Sequence, residues 1–259
     1  MLKIPQFYLF SKGKLAQILC YNPFMQKKSN YMTPRQIRES CKILNPESGT
    51  DRQVCAISEE FHQGLDLFGA KKELAKSVTF YGSARFSQDD KYCKEIYTLA
   101  RRIGEELKYA IVTGGAGGIM EAANHGAFDA HVESIGMTIT LPSEQETNKY
   151  VTQEIPFDFF FTRKTLLKFS GEAYIFCPGG YGTLDEFFDL ITLVQTRKIT
   201  PVPIILYGVE FWSPIVAFIK DKLIGEFKTI SPDELLFTMT DNHDEILQII
   251  KDAPIREGE

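Results

Sequence analysis

The sequence predicts an α/β protein built on a doubly wound parallel sheet. From residue 77 onward, short apolar runs alternate with amphipathic helical patterns, which is typical of a parallel sheet covered by helices on both faces. Several of these runs end at glycine-rich turns, and a chain of 259 residues with 44% hydrophobic content can bury a large core. We therefore expect a helical N-terminal extension over residues 1–76 and one α/β domain over residues 77–259.

The N-terminal extension carries helix signals and no chemical motif. Thr33 and Pro34 suit the N-cap and the first position of a helix over residues 35–44, and a turn follows at residues 45–49. A second helix is predicted over residues 51–76. We expect this extension to pack on the main domain or on a partner subunit.

Six strands are predicted in the α/β domain. They span residues 78–81, 110–113, 134–140, 157–161, 173–176 and 202–207, with helices over residues 91–107, 118–129 and 187–194. Ligands of such sheets bind at the carboxyl ends of the strands, where the strand order reverses. Gly82-Ser83, Gly114-Gly115 and Gly179-Gly180 each follow a strand, so we expect one cleft to collect all three turns.

The composition excludes several classes of protein. The net charge is −5 and the charged residues are interspersed, which argues against a nucleic-acid surface. The five cysteines are scattered and only four histidines are present, so we expect neither a disulfide framework nor a metal site. No apolar run reaches the roughly 18 residues of a membrane span, and the N-terminus lacks a signal-peptide pattern. The sequence therefore predicts a cytoplasmic protein that does not enter a membrane.

The most informative segment runs from Cys177 to Glu186. A buried strand ends at Pro178, glycines follow, and a helix then begins, so that backbone N–H groups and the helix dipole favour a phosphate. The residues assigned to this phosphate are Gly180, Gly182 and Thr183, and Gly179 is a further substrate-binding candidate. A carboxylate at Glu186 opposes anion binding, which indicates chemistry. The alternative is a structural capping box formed by Thr183 and Glu186.

A dinucleotide cofactor is not expected. Residues 115–120 have the first two glycines of the G-x-G-x-x-G fingerprint, but Met120 stands at the third. The chain also lacks the phosphate loop of nucleotide triphosphatases. We therefore predict that the protein uses no cofactor.

Arg163 and Lys164 follow the apolar run at residues 157–161, at the start of a short helix. Cations there oppose the helix dipole, and for Lys164 a solvated helix end is the alternative reading. The guanidinium of Arg163 suits a phosphate or a purine edge. Phosphate-binding amides, one carboxylate and one guanidinium suit cleavage of the N-glycosidic bond of a nucleoside monophosphate. Glu186 would activate water and stabilise positive charge on the ribose, while Arg163 would hold the departing base.

Four motifs in residues 77–250 resemble those of the Lonely Guy (LOG) family of cytokinin riboside 5′-monophosphate phosphoribohydrolases, often labelled "possible lysine decarboxylase". The segment from Pro178 to Glu186 resembles the signature PGGxGTxxE, and Arg163-Lys164 resembles the RK pair. Gly82-Ser83 and residues 114–121 are similar to the two earlier glycine motifs. The helical extension is similar to that of the longer bacterial members.

This resemblance implies a Rossmann-like fold and an enzyme that hydrolyses N-glycosyl bonds. AMP or a cytokinin riboside monophosphate would be cleaved to free base and ribose 5-phosphate, with Arg163 and Glu186 as catalytic residues. A homo-oligomer, either a dimer or a hexamer, is also implied. The further substrate-binding residues implied by the match are Gly82, Ser83, Gly114, Gly115, Gly118, Glu121 and Lys164. For Glu121, an acidic residue that satisfies the helix dipole is the alternative.

Other functions remain open at this point. A non-catalytic nucleotide-binding or carrier protein would keep the fold and the phosphate site but would not need the carboxylate of Glu186. A glycosyl-transferring enzyme would use that carboxylate as a nucleophile. A pyridoxal phosphate decarboxylase has no support, because no residue spacing identifies a Schiff-base lysine or a partner for the pyridinium nitrogen.

Overall fold

The structure is a computed structural model that describes residues 49–69, 76–140 and 146–254. The chain divides into two compact units, Met1–Cys55 and Ala56–Glu259, and only residues 49–55 of the first unit are described. The helix predicted over residues 35–44 lies outside the described residues. The domain boundary expected between residues 76 and 77 stays a prediction.

A seven-stranded sheet forms the centre of the second unit, and every pair of neighbouring strands is parallel. The strand order is β4-β3-β2-β1-β5-β6-β7. The strands are β1 (Ser77–Tyr81), β2 (Ala110–Thr113), β3 (Ser134–Ile139), β4 (Gln153–Phe157), β5 (Ala173–Phe176), β6 (Ile204–Leu206) and β7 (Thr238–Met239). The predicted α/β fold with a Rossmann-like parallel sheet is confirmed.

Helices connect the strands and cover both faces of the sheet. They are α1 (Gly49–Gly69), α2 (Lys91–Arg102), α3 (Ile119–Asp129), α4 (Phe160–Leu167), α5 (Tyr181–Gln195), α6 (Val209–Phe218) and α7 (His243–Asp252). Wider π-helical turns at Ile103–Leu107 and Ile219–Glu226 extend α2 and α6, and Pro232–Glu234 forms a 3₁₀ turn.

Two hydrophobic cores flank the sheet, because successive strand side chains point to opposite faces. Tyr81, Tyr174 and Phe176 belong to the core under α4, α5 and α6, which also contains Phe187. Phe80, the neighbour of Tyr81, belongs to the other core, under α2, α3 and α7. This alternation places the last side chain of β1 on the same side of the sheet as α4 and α5.

The strand order reverses between β1 and β5, which are neighbours in the sheet but not in the sequence. Ligands of open α/β sheets bind at such a reversal. The turns after β1 and β5 meet there, since the Ser83 N–H donates to the Pro178 carbonyl at 3.1 Å. The turn that begins at Gly114 follows the adjacent strand β2. The fold therefore brings the three glycine-rich turns to one edge.

The strand predicted over residues 157–161 is wrong. Strand β4 ends at Phe157, and Phe159 is the last extended residue before α4. Phe160 and Phe161, which read as buried strand residues, are 62% and 51% exposed on the first turn of α4. A run of phenylalanines has high strand propensity, but a tertiary contact overrides it here.

That contact comes from Glu60 on α1. One carboxylate oxygen of Glu60 accepts from the Asp158 N–H at 2.6 Å, and the other is paired with the Thr162 hydroxyl. Four residues further along the same face of α1, a Cβ on Gly64 would lie 2.4 Å from a methyl group of Leu166, so α1 and α4 approach closely. Glu60 thus holds the residues on both sides of the α4 start, next to Arg163.

The cysteines differ in part from expectation. Cys55 is disulfide-bonded, whereas the scattered cysteines had predicted no disulfide framework. Cys93 and Cys177 are free and buried. The sequence pattern gave no signal for the bonded cysteine, because no spacing marks it out.

Replacing Glu60 tests the contact between α1 and the start of α4. Glu60→Ala leaves the Asp158 N–H and the Thr162 hydroxyl without this acceptor, which we expect to lower the free energy of unfolding by about 1–3 kcal/mol. Urea denaturation measures the loss. Gln63→Ala, an exposed change on the same helix, is the control and should stay within about 0.5 kcal/mol of the wild type. Equal stability of the Glu60→Ala and wild-type proteins would contradict this account.

Candidate functional site

A cavity of about 1070 Å³ opens at the carboxyl ends of β1, β2 and β5. Eleven of the thirteen residues predicted for the site line it. They are Gly82, Ser83, Gly114, Gly115, Arg163, Lys164, Gly179, Gly180, Gly182, Thr183 and Glu186. The one cleft expected from the three glycine-rich turns is therefore present.

The N-terminus of α5 offers an anion-binding surface in this cavity. Helix α5 begins at Tyr181, and its N-cap, Gly180, makes no side-chain capping hydrogen bond. The first backbone N–H groups of a helix have no partner within the helix and attract anions. A Cβ on Gly180 or on Gly182 would meet nothing within 4 Å. Packing therefore does not require glycine at these two positions, and their small size leaves the helix start open to a ligand.

The capping-box alternative for Thr183 and Glu186 is not realised. Because α5 starts at Tyr181, Thr183 lies inside the helix and cannot be its N-cap. Its side chain packs against Gly179, where a Cβ would lie 2.1 Å from the Thr183 hydroxyl oxygen. Among the described residues, the buried Oε2 of Glu186 has no hydrogen-bond partner. This oxygen is thus left without a partner inside the cavity.

Arg163 is held in place by β3 and by the turn after β2. Its Nε donates to the Met137 carbonyl at 2.6 Å. Its Nη2 lies 2.4 Å from the position that a Cβ on residue 114 would occupy, so the guanidinium requires a glycine there. Burial lowers the pKa of Arg163 and the nearby Glu186 carboxylate opposes this, but an arginine remains charged in proteins.

Glu186 has the electrostatics of a proton acceptor. Burial raises the pKa of Glu186 from 4.5 to about 7, and the positive charges of Lys164, Arg163 and Lys168 limit that rise. A general base works best when its pKa lies close to the working pH. Near neutral pH, Glu186 can therefore both accept and release a proton.

Lys164 lines the cavity, but its ammonium group pairs with α5. It lies 2.6 Å from a carboxylate oxygen of Asp185 and 3.3 Å from one of Asp189, and Lys168 also pairs with Asp189. These ion pairs connect the helix that carries Arg163 to the helix that carries Glu186. The alternative that Lys164 is only a solvated cation at a helix end is therefore wrong. Its substrate-binding role stays a prediction.

Gly118 and Glu121 do not line the cavity. Gly118 precedes α3 with a φ of +62°, and a Cβ there would lie 2.4 Å from the Ser83 carbonyl oxygen, so its backbone conformation accounts for the glycine. Glu121, in the first turn of α3, accepts from the Gln88 side chain at 3.2 Å. Their substrate-binding roles stay predictions.

Sequence reasoning missed Tyr81, which lines the cavity from the end of β1. The residue directly before a glycine turn at a strand end is a candidate for the cavity wall, and that position was the available signal. Three exposed aromatic residues of the cavity wall were also missed. They are Phe160, Phe161 and Tyr181, of which Tyr181 is 92% exposed.

Together the fold and the cavity define a class of protein: a doubly wound α/β protein whose switch point has an uncapped helix start with a carboxylate and a guanidinium beside it. The family model described as "Possible lysine decarboxylase" matches residues 120–250, which are 131 of the 259 residues. The chain belongs to this family. Its recognition as a LOG family member from the sequence motifs is confirmed.

Relatives agree with this assignment. The cytokinin riboside 5′-monophosphate phosphoribohydrolase of Rhodococcoides fascians is 27% identical over 158 residues, covering 60% of this chain and 79% of that protein. The enzyme of the same name, LOG2, of Arabidopsis thaliana is 24% identical over 184 residues, covering 70% of this chain and 85% of that protein. The solved structure of the protein TM1055 matches with a TM-score of 0.52 at 19% identity, covering 68% of this chain and 98% of that one. The last similarity shows the fold alone.

The described residues include neither a membrane-spanning helix nor a candidate metal site. Within residues 49–69, 76–140 and 146–254, no helix has the length and apolar character needed to cross a membrane. Over the same ranges, no group of three or more His, Cys, Asp or Glu side chains is arranged to hold a metal ion.

The raised pKa of Glu186 predicts a stability cost that depends on pH. Since the folded protein holds this proton up to about pH 7 and an unfolded glutamate releases it near pH 4.5, the free energy of unfolding falls as the pH rises between these values. Glu186→Gln removes the titration, so its advantage over the wild type should grow by about 2 kcal/mol from about pH 5 to about pH 8.

Urea denaturation at the two pH values measures this difference. Glu146→Gln, which changes an exposed carboxylate of the same cavity, is the matched control and should show no such growth. A stability difference between Glu186→Gln and the wild type that is equal at both pH values would contradict the burial of a titrating Glu186.

Proposed function

We propose that the protein is a nucleoside 5′-monophosphate N-glycosidase. It hydrolyses AMP or a cytokinin riboside monophosphate to the free base and ribose 5-phosphate. The observation that carries this proposal is the buried, unpartnered Oε2 of Glu186, which shares the cavity with the guanidinium of Arg163 and with the N-terminus of α5. The names of the relatives from Rhodococcoides fascians and Arabidopsis thaliana support the same reaction.

The N-terminus of α5 would bind the 5′-phosphate. Gly180, Gly182 and Thr183 supply the first-turn backbone of this helix, and the helix dipole adds a partial positive charge. Because Glu186 lies about one turn further along the same helix, phosphate binding brings the ribose next to its carboxylate. The glycosidic bond then lies between Glu186 and Arg163.

The chemistry is the addition of water across the C1′–N bond. Glu186 accepts a proton from the attacking water, and its negative charge stabilises the positive charge that develops on the ribose ring. The electron pair of the bond leaves with the base, where the guanidinium of Arg163 stabilises the departing nitrogen heterocycle. The released base takes up one proton, and ribose 5-phosphate is the second product.

We also propose that the protein acts in the cytoplasm as a homo-oligomer, a dimer or a hexamer. The exposed aromatic side chains of Phe160, Phe161 and Tyr181 beside the cavity support an association between subunits, since contiguous exposed apolar surface marks interaction sites.

Incubation with AMP tests the proposed reaction. We expect the wild type to release adenine and ribose 5-phosphate, and Glu186→Gln to lower kcat by about 10²–10⁴-fold because the general base is lost. Arg163→Ala should lower kcat by about 10²–10³-fold because the leaving group loses its charge stabilisation. Chromatography of the released base measures the rates, and Glu210→Gln, an exposed change outside the cavity, is the matched control.

The alternative functions give different outcomes in the same assay. Binding of AMP without release of base from any purine or pyrimidine nucleoside monophosphate would favour a nucleotide-binding or carrier protein. Formation of a new nucleotide when a second base is present would favour glycosyl transfer. Either result contradicts hydrolysis as the main activity.

The pH dependence of the reaction follows from the pKa of Glu186. Since the carboxylate must be ionised to accept a proton, kcat/KM should fall tenfold per pH unit below about pH 7, where its pKa lies. Initial rates measured with AMP from about pH 5 to about pH 9 define this acid limb. An acid limb near pH 4.5, the value of an exposed glutamate, would contradict the assignment of Glu186 as a buried base.

A further inference from the structure

In the described part of the chain, two buried side-chain oxygens lack a hydrogen-bond partner: the hydroxyl of Tyr81 and Oε2 of Glu186. Both residues line the same cavity. Folded proteins leave few buried polar groups unpaired, because each such group has lost its hydrogen bonds to water without replacement. Two unpaired oxygens in one cavity therefore indicate a species that both of them bind.

The position of Tyr81 is fixed by packing. It is the last residue of β1, at the reversal of strand order, and its ring stacks on that of Phe176 with the centroids 4.7 Å apart and the planes 7° apart. The ring is buried in the core under α4 and α5. A phenylalanine would fill the same space, so the packing gives no reason for the hydroxyl.

The hydroxyl of Tyr81 lies within electrostatic reach of both proposed catalytic side chains. Burial raises the pKa of Tyr81 well above its usual value, the Glu186 carboxylate raises it further, and Arg163 opposes the rise. The phenol therefore stays protonated near neutral pH and has an O–H to donate, whereas an ionised Glu186 can only accept a hydrogen bond. The cavity is therefore lined by a hydrogen-bond donor, Tyr81, and by an acceptor, Glu186.

We propose that Tyr81 is a further residue of the reaction site, whose phenol O–H and the Glu186 carboxylate together hold the attacking water. The role of this water rests on the proposed hydrolase function. A buried water needs two to four polar partners, and Tyr81, Glu186 and the ribose of the substrate supply them. One water satisfies both of the oxygens that the folded chain leaves unpaired.

The step balances with the water as the only added reactant. The water accepts a hydrogen bond from Tyr81 and donates one to Glu186. Its oxygen forms the bond to C1′, its proton passes to Glu186, and the C1′–N bond breaks with its electron pair on the base nitrogen. The base takes up a proton from solvent and Glu186 returns one to solvent, while Tyr81 keeps its own proton throughout.

Removal of the phenol should also change the titration of Glu186. The charged and titratable groups that act on this carboxylate are Arg163, Lys164 and Lys168 on the α4 side, Asp185 on α5, and Tyr81 from β1. A hydrogen-bond donor near a carboxylate favours its charged form, either directly or through a shared water. Without the Tyr81 hydroxyl, the pKa of Glu186 rises.

The test is Tyr81→Phe, which removes the hydroxyl and keeps the ring. We expect kcat with AMP to fall about 10-fold or more and KM to change less than about twofold, because the lost hydrogen bond serves the transition state. The acid limb of the kcat/KM profile should move to higher pH. Tyr174→Phe is the matched control: its hydroxyl donates to the Lys168 carbonyl in the same core and Tyr174 does not line the cavity. We expect Tyr174→Phe to lose stability and to keep the acid limb of the wild type.

A second readout does not depend on turnover. The side-chain carboxyl of Glu186, labelled with ¹³C, is titrated by NMR in the wild type and in Tyr81→Phe, and the variant should titrate at higher pH. A wild-type kcat and an unmoved acid limb in Tyr81→Phe would overturn the proposal. If the wild type releases no base from any nucleotide, the proposed function fails by itself, and the NMR titration then decides whether Tyr81 acts on Glu186. An unmoved carboxyl titration overturns that interaction as well.

Fluorotyrosine at position 81 covers the case in which Tyr81→Phe does not fold. Its phenol is more acidic and therefore a stronger donor, so the titration of Glu186 should move in the opposite direction, to lower pH. A fluorotyrosine protein that titrates like the wild type overturns the proposal.

Discussion

The removal of the Glu186 carboxylate from water is the constraint on which the rest of the site depends. A buried carboxylate on α5 loses hydration, which opposes its ionisation, and the phosphate that we propose at the start of this helix would add repulsion. Its charge is tolerated because Arg163, Lys164 and Lys168 lie within electrostatic reach. All three cations come from α4 or from the residue that follows it. The distance between α4 and α5 therefore influences the pKa of Glu186.

The fold fixes that distance with contacts that take no part in the proposed reaction. The Met137 carbonyl holds the Arg163 side chain, and the missing side chain at Gly114 makes room for its guanidinium. The pair between Lys164 and Asp185 connects the two helices directly. From the far side, Glu60 holds the start of α4. Each contact is modest by itself, but together they leave the guanidinium and the carboxylate few alternative positions, which is what preorganised electrostatics requires.

Whether a feature of this structure could be predicted from the sequence depends on how far apart in the chain the interacting residues lie. Strands, glycine turns and the glycine-rich start of α5 depend on neighbouring residues, so local patterns predicted them, and the motifs pointed to Arg163 and Glu186. The start of α4 depends on a carboxylate 98 residues away, and the phenylalanine run therefore predicted a strand instead. Tyr81 reads as one more core residue of β1, because nothing local shows that its hydroxyl lies buried without a partner. Local chemistry was thus readable from the sequence, whereas tertiary hydrogen bonding was not.

The choice between an enzyme and a binding protein has to rest on the site and not on the fold. Doubly wound sheets of this kind serve many functions, so the similarity to TM1055 is neutral in this choice. An anion-binding turn works best without a nearby negative charge, and a binder would gain both affinity and stability from an uncharged residue at position 186. The chain instead keeps an acid whose burial raises its pKa to about 7, and it surrounds that acid with cations. The burial of this acid opposes stability, and the proton transfer that we propose at this position gives a reason for it.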